Sequence, residues 1–160
     1  MYQRILVPLD GSKMSEAILP HVEKLARALN VEIVLLHVGS ITSEPDFDPH
    51  IPILAPIIEE LKHKYADEKA YLDHICSKLE SEGVRATYLL REGDVAETIM
   101  EVAEIMQADL IAMSMHGRTG VLRLLLGGVA EQVVQESKIP VLLIRPHGVE
   151  KKEGNQFARE

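Results

Sequence analysis

The stretch Ala108-Asp-Leu-Ile-Ala-Met-Ser114, continued by Met-His-Gly117 and, nine residues later, by Gly127-Gly128-Val-Ala130, decides how this chain is organised. Ala108 to Ser114 is apolar enough for a strand covered on both faces, as strands of a parallel sheet are. After the glycines, Val129, Val133 and Val134 recur at helical spacing, so a glycine-rich loop joins a strand to a helix. Unpaired N–H groups at a helix start face such a loop, and glycines let a ligand come close to the backbone, which favours anionic oxygen there. The loop has neither the Lys-Ser/Thr ending of a P-loop nor the G-x-G-x-x-G of a dinucleotide fold. From its residues alone it is either a phosphate cradle or a flexible crossover connection.

Working outward, apolar strand-like runs fall at Arg4 to Leu9, Val31 to Val38, Val84 to Leu90, Leu110 to Met115 and Val141 to Arg145. Helical patterns separate them. The first, opening after an Asp10-Gly11-Ser12 turn, carries Met14, Ile18, Val22, Leu25 and Leu29 on one face, with Pro20 predicted to bend it. The second carries Ile58, Leu61, Tyr65, Leu72, Ile75 and Leu79, with Glu68 as a gap in the stripe and Gly83 placed to end it. The third starts at Asp94, whose carboxylate can cap it with Glu97 three residues on, and is expected to bury Val95, Ile99, Val102 and Met106. The fourth follows Gly127.

Strands alternating with helices in this way predict an α/β fold: a doubly wound five-stranded parallel sheet with helices on both faces. In such sheets ligands bind beyond the carboxyl ends of the strands, where strand order reverses. Asp10 and Ser114 stand at such ends. If their strands flank the reversal, Asp10, Val38 and the glycine loop converge on one crevice. Residues 1–146 read as one domain and the polar stretch from His147 to Glu160 as a mobile tail. The segment Gly39 to Pro56, with Pro45, Pro49, Pro52 and Pro56, reads as an extended surface connector, the alternative being a lid over the crevice.

Composition removes several functions. A formal net charge of -8 and a pI near 5.4 oppose a nucleic-acid binder, whose affinity comes from clustered Lys and Arg. Phe47, Phe157 and four tyrosines offer little to stack on bases. Cys76 is the single cysteine, which excludes an internal disulfide and a cysteine zinc cluster and fits a reducing cytoplasm. The start of the chain runs straight into Ile5-Leu-Val7, so no export signal is expected, nor is a membrane-spanning stretch. The seven histidines, His37 and His74 among them, show no metal-ligand spacing.

Taken together, Ile5-Leu-Val-Pro-Leu-Asp10-Gly-Ser, Leu35-Leu-His-Val38, Gly93 before a helix, and Ser114 through Pro146 make the chain similar to the universal stress proteins. The resemblance covers nearly the whole chain and implies the Rossmann-like fold of the adenine nucleotide alpha hydrolases. It implies a Gly-x2-Gly-x9-Gly-Ser/Thr loop for ATP, here falling on Ser114, Gly117, Gly127 and Gly128, so two positions depart from the pattern. It further implies adenine held near Pro8, Leu9, Asp10 and the Val38 backbone. Ribose and phosphates would lie along Ser114, His116, Gly117, Arg118 and Thr119 and along Gly127, Gly128, Val129 and Ala130. Mg2+ would arrive with the ATP, and a homodimer is implied, with the Val141-Leu-Leu-Ile144 strand expected at a sheet edge open to a second copy.

The departures have physical consequences. Gly128 keeps a backbone N–H but supplies no hydroxyl; a hydrogen bond to a charged acceptor is worth about 1.5 to 3 kcal/mol, so its loss weakens binding roughly tenfold to a hundredfold. Ser114 either crowds a ligand or donates to it. Arg118 and Arg123 offset ligand charge. Asp10 before a helix is also an ordinary N-terminal cap, a role compatible with ligand contact. His116 lacks a carboxylate partner in the motif, and the Glu59-Glu60 and Glu101-Glu104 groups read as solvated helix faces. No apparatus for phosphoryl transfer is legible, so a binding module is expected, with slow ATP hydrolysis at most. The competing expectation is a nucleotide-free dimeric interaction module, with a small-molecule enzyme third.

Overall fold

In the computed structural model, which describes residues 1–39, 51–115 and 128–146, the strands are β1 (Arg4–Pro8), β2 (Glu32–Gly39), β3 (Ala86–Glu92), β4 (Leu110–Ser114) and β5 (Val141–Ile144). All pairings are parallel and the order is β3-β2-β1-β4-β5. The helices are α1 (Lys13–Glu16), α2 (Leu19–Leu29), α3 (Ala55–Ser81), α4 (Val95–Ile105) and α5 (Gly128–Glu136). This is the expected doubly wound α/β fold.

Alternation along the strands explains its two cores. Ile5, Val7, Ile33 and Leu35 pack with Val22 of α2 and Leu72, Ile75 and Leu79 of α3. Leu6, Val34, Leu36 and Ile111 face the other way, onto Ile99 and Val102 of α4 and Val133 of α5. Leu6 and Leu35 are fully buried, and truncating such a leucine to alanine costs about 2–5 kcal/mol.

Several expectations change in detail. The first helix does not merely bend: α1 stops at Glu16 and α2 starts at Leu19. Pro20 has no N–H to offer the Glu16 carbonyl, so it serves in the first turn of a new helix instead. Pro56 likewise lies in the first turn of α3, and Pro52–Leu54 form a short 3-10 turn before it, so the expected connector is shorter at both ends; its residues 40–50 lie outside the described ones. Asp94 caps α4 as expected, its Oδ1 accepting from Glu97 N at 3.1 Å. Val95, however, is exposed, as are Val129 and Val134. The small Ala96, Ala103 and Ala130 take the buried positions, because close helix–sheet approach favours a methyl group over a valine there. The ends of the other segments agree to within a few residues, and β5 lies at the sheet edge, half-buried along its length.

Candidate functional site

β1 lies between β2 and β4, and the crossovers leaving its neighbourhood run to opposite faces: α2 belongs to one core and α5 to the other. The carboxyl ends of β1 and β4 therefore form the switch point at which the connections part and leave a crevice.

Past β1, Pro8 is half-buried and Leu9 buried, the latter's N–H donating to Leu36 O at 2.8 Å. Asp10 is exposed and folds back on the following turn, its Oδ1 accepting from Ser12 N at 2.8 Å. Ser12 caps α1 by accepting from Ser15 N at 3.1 Å. Thus the turn and cap expected at Asp10-Gly-Ser are both present, with Gly11 at φ +87°, a conformation glycine adopts without strain.

Ser15, which the sequence did not single out, is the hub. It is buried; its Oγ accepts from Asp10 N at 3.3 Å and donates to Ser12 O at 2.9 Å. Its carbonyl accepts from Ser114 Oγ at 3.4 Å. Asp10 and Ser114 are thereby joined through one residue of α1. Ser114 is buried, and its hydroxyl has a protein partner.

On the neighbouring strand, Val38 is half-buried and packs against the α4/α5 core. Because Leu36 bonds toward β1, Val38, two residues on, presents its N–H and C=O to that same side. On the far side of the crevice, Gly128 and Val129 are exposed at the start of α5, Ala130 is buried, and a Cβ built on Gly128 meets nothing within 4 Å among the described residues. The site candidates His116, Gly117, Arg118, Thr119 and Gly127, and Arg123 with them, lie outside the described residues.

Two further side chains reach this end of the sheet from α3. Glu68, the gap in the apolar stripe, faces His37, with Oε1 3.5 Å from Nε2. His37 Nδ1 is 2.7 Å from Leu9 O, so Nδ1 carries the hydrogen, a carbonyl being only an acceptor. One turn along α3, the Tyr71 hydroxyl is buried close to Glu16 and Ser15 without a hydrogen bond of good geometry among the described residues, and Glu68 Oε2 is likewise unmatched there. Burial, and then the neighbouring carboxylates of Glu16 and Asp10, push the Tyr71 phenol well above its ordinary range. The break in α3's stripe was the signal for Glu68; no local signal marks its partner on another element.

Chemically, the ends of β1, β2 and β4 offer hydrogen-bonding groups, and α5 adds the positive end of a helix. No cluster of His, Cys, Asp and Glu among the described residues is arranged to hold a metal ion, and no described helix is long and apolar enough to cross a membrane. Glu59, Glu60, Glu101 and Glu104 are exposed on helix surfaces, as expected, and Glu104 pairs with Lys138 at 3.4 Å.

Residues 1–145 match the model of the universal stress protein family. Universal stress protein MJ0577 of Methanocaldococcus jannaschii is 33% identical over 155 residues, covering 91% of this chain and 96% of that one. Universal stress protein MJ0531 of the same organism is 32% identical over 149 residues, covering 91% and 83%. The solved structure of MJ0577 superposes with a TM-score of 0.72 at 32% identity, covering 92% of this chain and 99% of that one. A universal stress protein solved in complex with cAMP has the same fold, with a TM-score of 0.64 at 22% identity and coverage of 90% and 97%.

Proposed function

The chain belongs to the universal stress protein family, and on that premise we propose that it binds an adenine nucleotide, ATP, at the β1/β4 crevice and acts as a homodimeric stress-response switch in the cytoplasm. What carries this reading is the convergence at one switch point of the Asp10 turn, the β1-facing backbone of Val38, the end of β4 at Ser114 and the open start of α5 at Gly128. Pro8, Leu9, Asp10 and Val38 would line the adenosine half. Ser114, His116, Gly117, Arg118 and Thr119, with Gly127, Gly128, Val129 and Ala130, would line ribose and phosphates, and Mg2+ would enter with the ATP.

A relative's complex with cAMP supports adenine nucleotides as the ligand class. Dimerisation through β5 is supported by its half-buried apolar edge, and a reducing compartment by the buried free thiol of Cys76. Residues 1–146 would act as one unit.

A second reading, a nucleotide-free interaction module, is favoured by two observations: the Ser114 hydroxyl is already bonded to Ser15 O, and Gly128 brings no hydroxyl. Mass spectrometry of ligand released from the denatured protein, followed by calorimetric titration of stripped protein with Mg-ATP, separates the two. Copurified adenine nucleotide, or saturable binding weakened by Gly117→Val, supports the switch. Absence of both at millimolar ATP supports the interaction module. Sedimentation at micromolar concentration tests the dimer, which a monomer would refute.

A further inference from the structure

The register of β1 on β2 fixes what should follow their last paired residues. Pro8 pairs with Leu36, and Leu9 N–H donates to Leu36 O at 2.8 Å. In a continuing parallel ladder the next rung is Val38 N–H to Leu9 O. Among the described residues that rung is not made. The Leu9 carbonyl instead receives His37 Nδ1–H at 2.7 Å, so a side chain of β2 takes the bond that the backbone of β2 would have supplied.

His37 is held in that role from behind. Its Nε2 stands 3.5 Å from Glu68 Oε1 of α3. Both side chains are largely covered, at 13% and 14% exposure, so the ring has few other orientations. Gly39 makes room for the brace: a Cβ there would collide with the Glu68 carboxyl group, whose carbon would lie only 2.9 Å away.

We infer that His37, braced by Glu68, stands in for a rung of the β1–β2 ladder and so parts the two strands at the crevice, leaving the Val38 backbone available to a ligand. Both are positioning residues. This rests on the adenine-nucleotide reading for the identity of the ligand, because there the Val38 backbone serves the base. The consequence is directional: the device acts on the base side of the ligand and is indifferent to the number of phosphates.

The test has a ligand-free arm and a ligand arm, both on the full chain. In the ligand-free arm, nitrogen NMR shows His37 with its hydrogen on Nδ1, and amide exchange shows Val38 exchanging rapidly while Leu9 is protected. In His37→Ala, or in His37→Leu where a filled space is needed for folding, the Leu9 carbonyl is released to Val38. Its amide exchange then slows by about tenfold or more. His37→Asn, which keeps a donor near the Nδ1 position, leaves Val38 fast. A Val38 amide already protected in the unaltered chain, or unchanged by both non-donating variants, would overturn the inference.

In the ligand arm, His37→Leu weakens AMP, ADP and ATP by one common factor of about tenfold, the worth of one hydrogen bond, and His37→Asn recovers most of it. Glu68→Ala repeats the pattern with a smaller factor. A loss that grows with phosphate number, or none, would overturn the positioning role. If the unaltered chain binds none of the three nucleotides, the functional reading fails, and the exchange arm still decides whether His37 parts the strands.

Discussion

The two ends of the sheet solve opposite problems. At the amino end side chains close the junctions among β1, β2, β3 and the start of β4: Asp109 Oδ2 accepts from Gln3 N at 2.6 Å and Arg4 N at 2.9 Å, while Arg4 pairs with Glu32 at 3.1 Å and reaches Met106 O. Thr87 of β3 joins through Glu32 at 3.2 Å, so the set ties β1, β2, β3 and the start of β4 together. At the carboxyl end the polar groups are incompletely matched among the described residues. Ser15 bridges two loops, His37 interrupts a ladder, and Glu68 Oε2 and Tyr71 OH are buried without a hydrogen bond of good geometry among the described residues. Buried polar atoms without partners cost stability. On the nucleotide-binding proposal, stability is concentrated at one end and binding at the other, and substitutions at the two ends should separate these properties.

The largest expected effect is a gain at the carboxyl end. Gly128→Ser meets no obstruction among the described residues and adds a hydroxyl at the start of α5. On the ATP reading it tightens Mg-ATP by roughly tenfold to a hundredfold, the worth of a hydrogen bond to a charged acceptor, with little change in melting temperature and less gain for AMP. Calorimetry of the two nucleotides checks it. Equal affinity for ATP before and after would mean that no phosphate reaches α5, and the comparison between the ends would lose its functional half.

At the amino end the expectation reverses. Asp109→Ala removes the acceptor for two backbone N–H groups, and because the site is partly solvated the cost is about 1–2 kcal/mol in a urea titration, with nucleotide affinity unchanged. Those hydrogen bonds, chiefly from Gln3 and Arg4, hold the Asp109 carboxyl below its ordinary range. A lowered folded-state value means that its contribution is present above the ordinary carboxylate value and is lost as pH falls through the folded one. Stability measured from pH 4 downward should therefore fall less steeply in the variant. A change in nucleotide affinity of similar size would show that the two ends are not separable.

Ser15→Ala ranks next, because one buried hydroxyl serves both the Asp10 and Ser12 backbones. Its loss should cost about 1 kcal/mol and also loosen the Asp10 turn, the one substitution expected to lower both stability and affinity. Amide exchange of Asp10, measured beside the melting temperature, distinguishes this from a purely structural loss.

The sequence made the fold and the frame of the crevice legible because both depend on local pattern. Apolar runs separated by helical spacing imply the parallel sheet, and the edge position of β5 and the Asp94 cap follow from residues within a few positions of each other. Helix faces were less legible. Periodicity selects the largest apolar residues and so puts Val95 inside, whereas tight packing buries Ala96 and leaves Val95 exposed. The site was legible where its contacts are local, as in the Asp10-Gly-Ser turn, and illegible where they join distant elements. Ser15 meets Ser114, and Glu68 meets His37, through tertiary geometry that no spacing rule carries. Glu68 did leave a trace, since a charged residue interrupting an apolar stripe must find a polar neighbour or leave the core.

The smallest effect on stability is expected at Tyr71, and it tests the comparison most directly. A buried hydroxyl that makes no hydrogen bond of good geometry among the described residues adds little to holding the protein together, so Tyr71→Phe should be neutral to within about 1 kcal/mol or slightly stabilising near pH 7. The effect emerges with alkali. Burial and the nearby Glu16 and Asp10 carboxylates favour the uncharged phenol, so its folded-state value lies above the unfolded one. A raised value means that the contribution is complete below the ordinary phenol value of 10.0 and is lost as pH rises beyond it. Above about pH 10 the unaltered chain should therefore lose stability that the Phe variant retains, read from melting temperatures or urea midpoints across that range. A Phe variant destabilised at neutral pH by more than about 1 kcal/mol would mean that the hydroxyl has a partner, and the carboxyl end would then be as fully closed as the amino end.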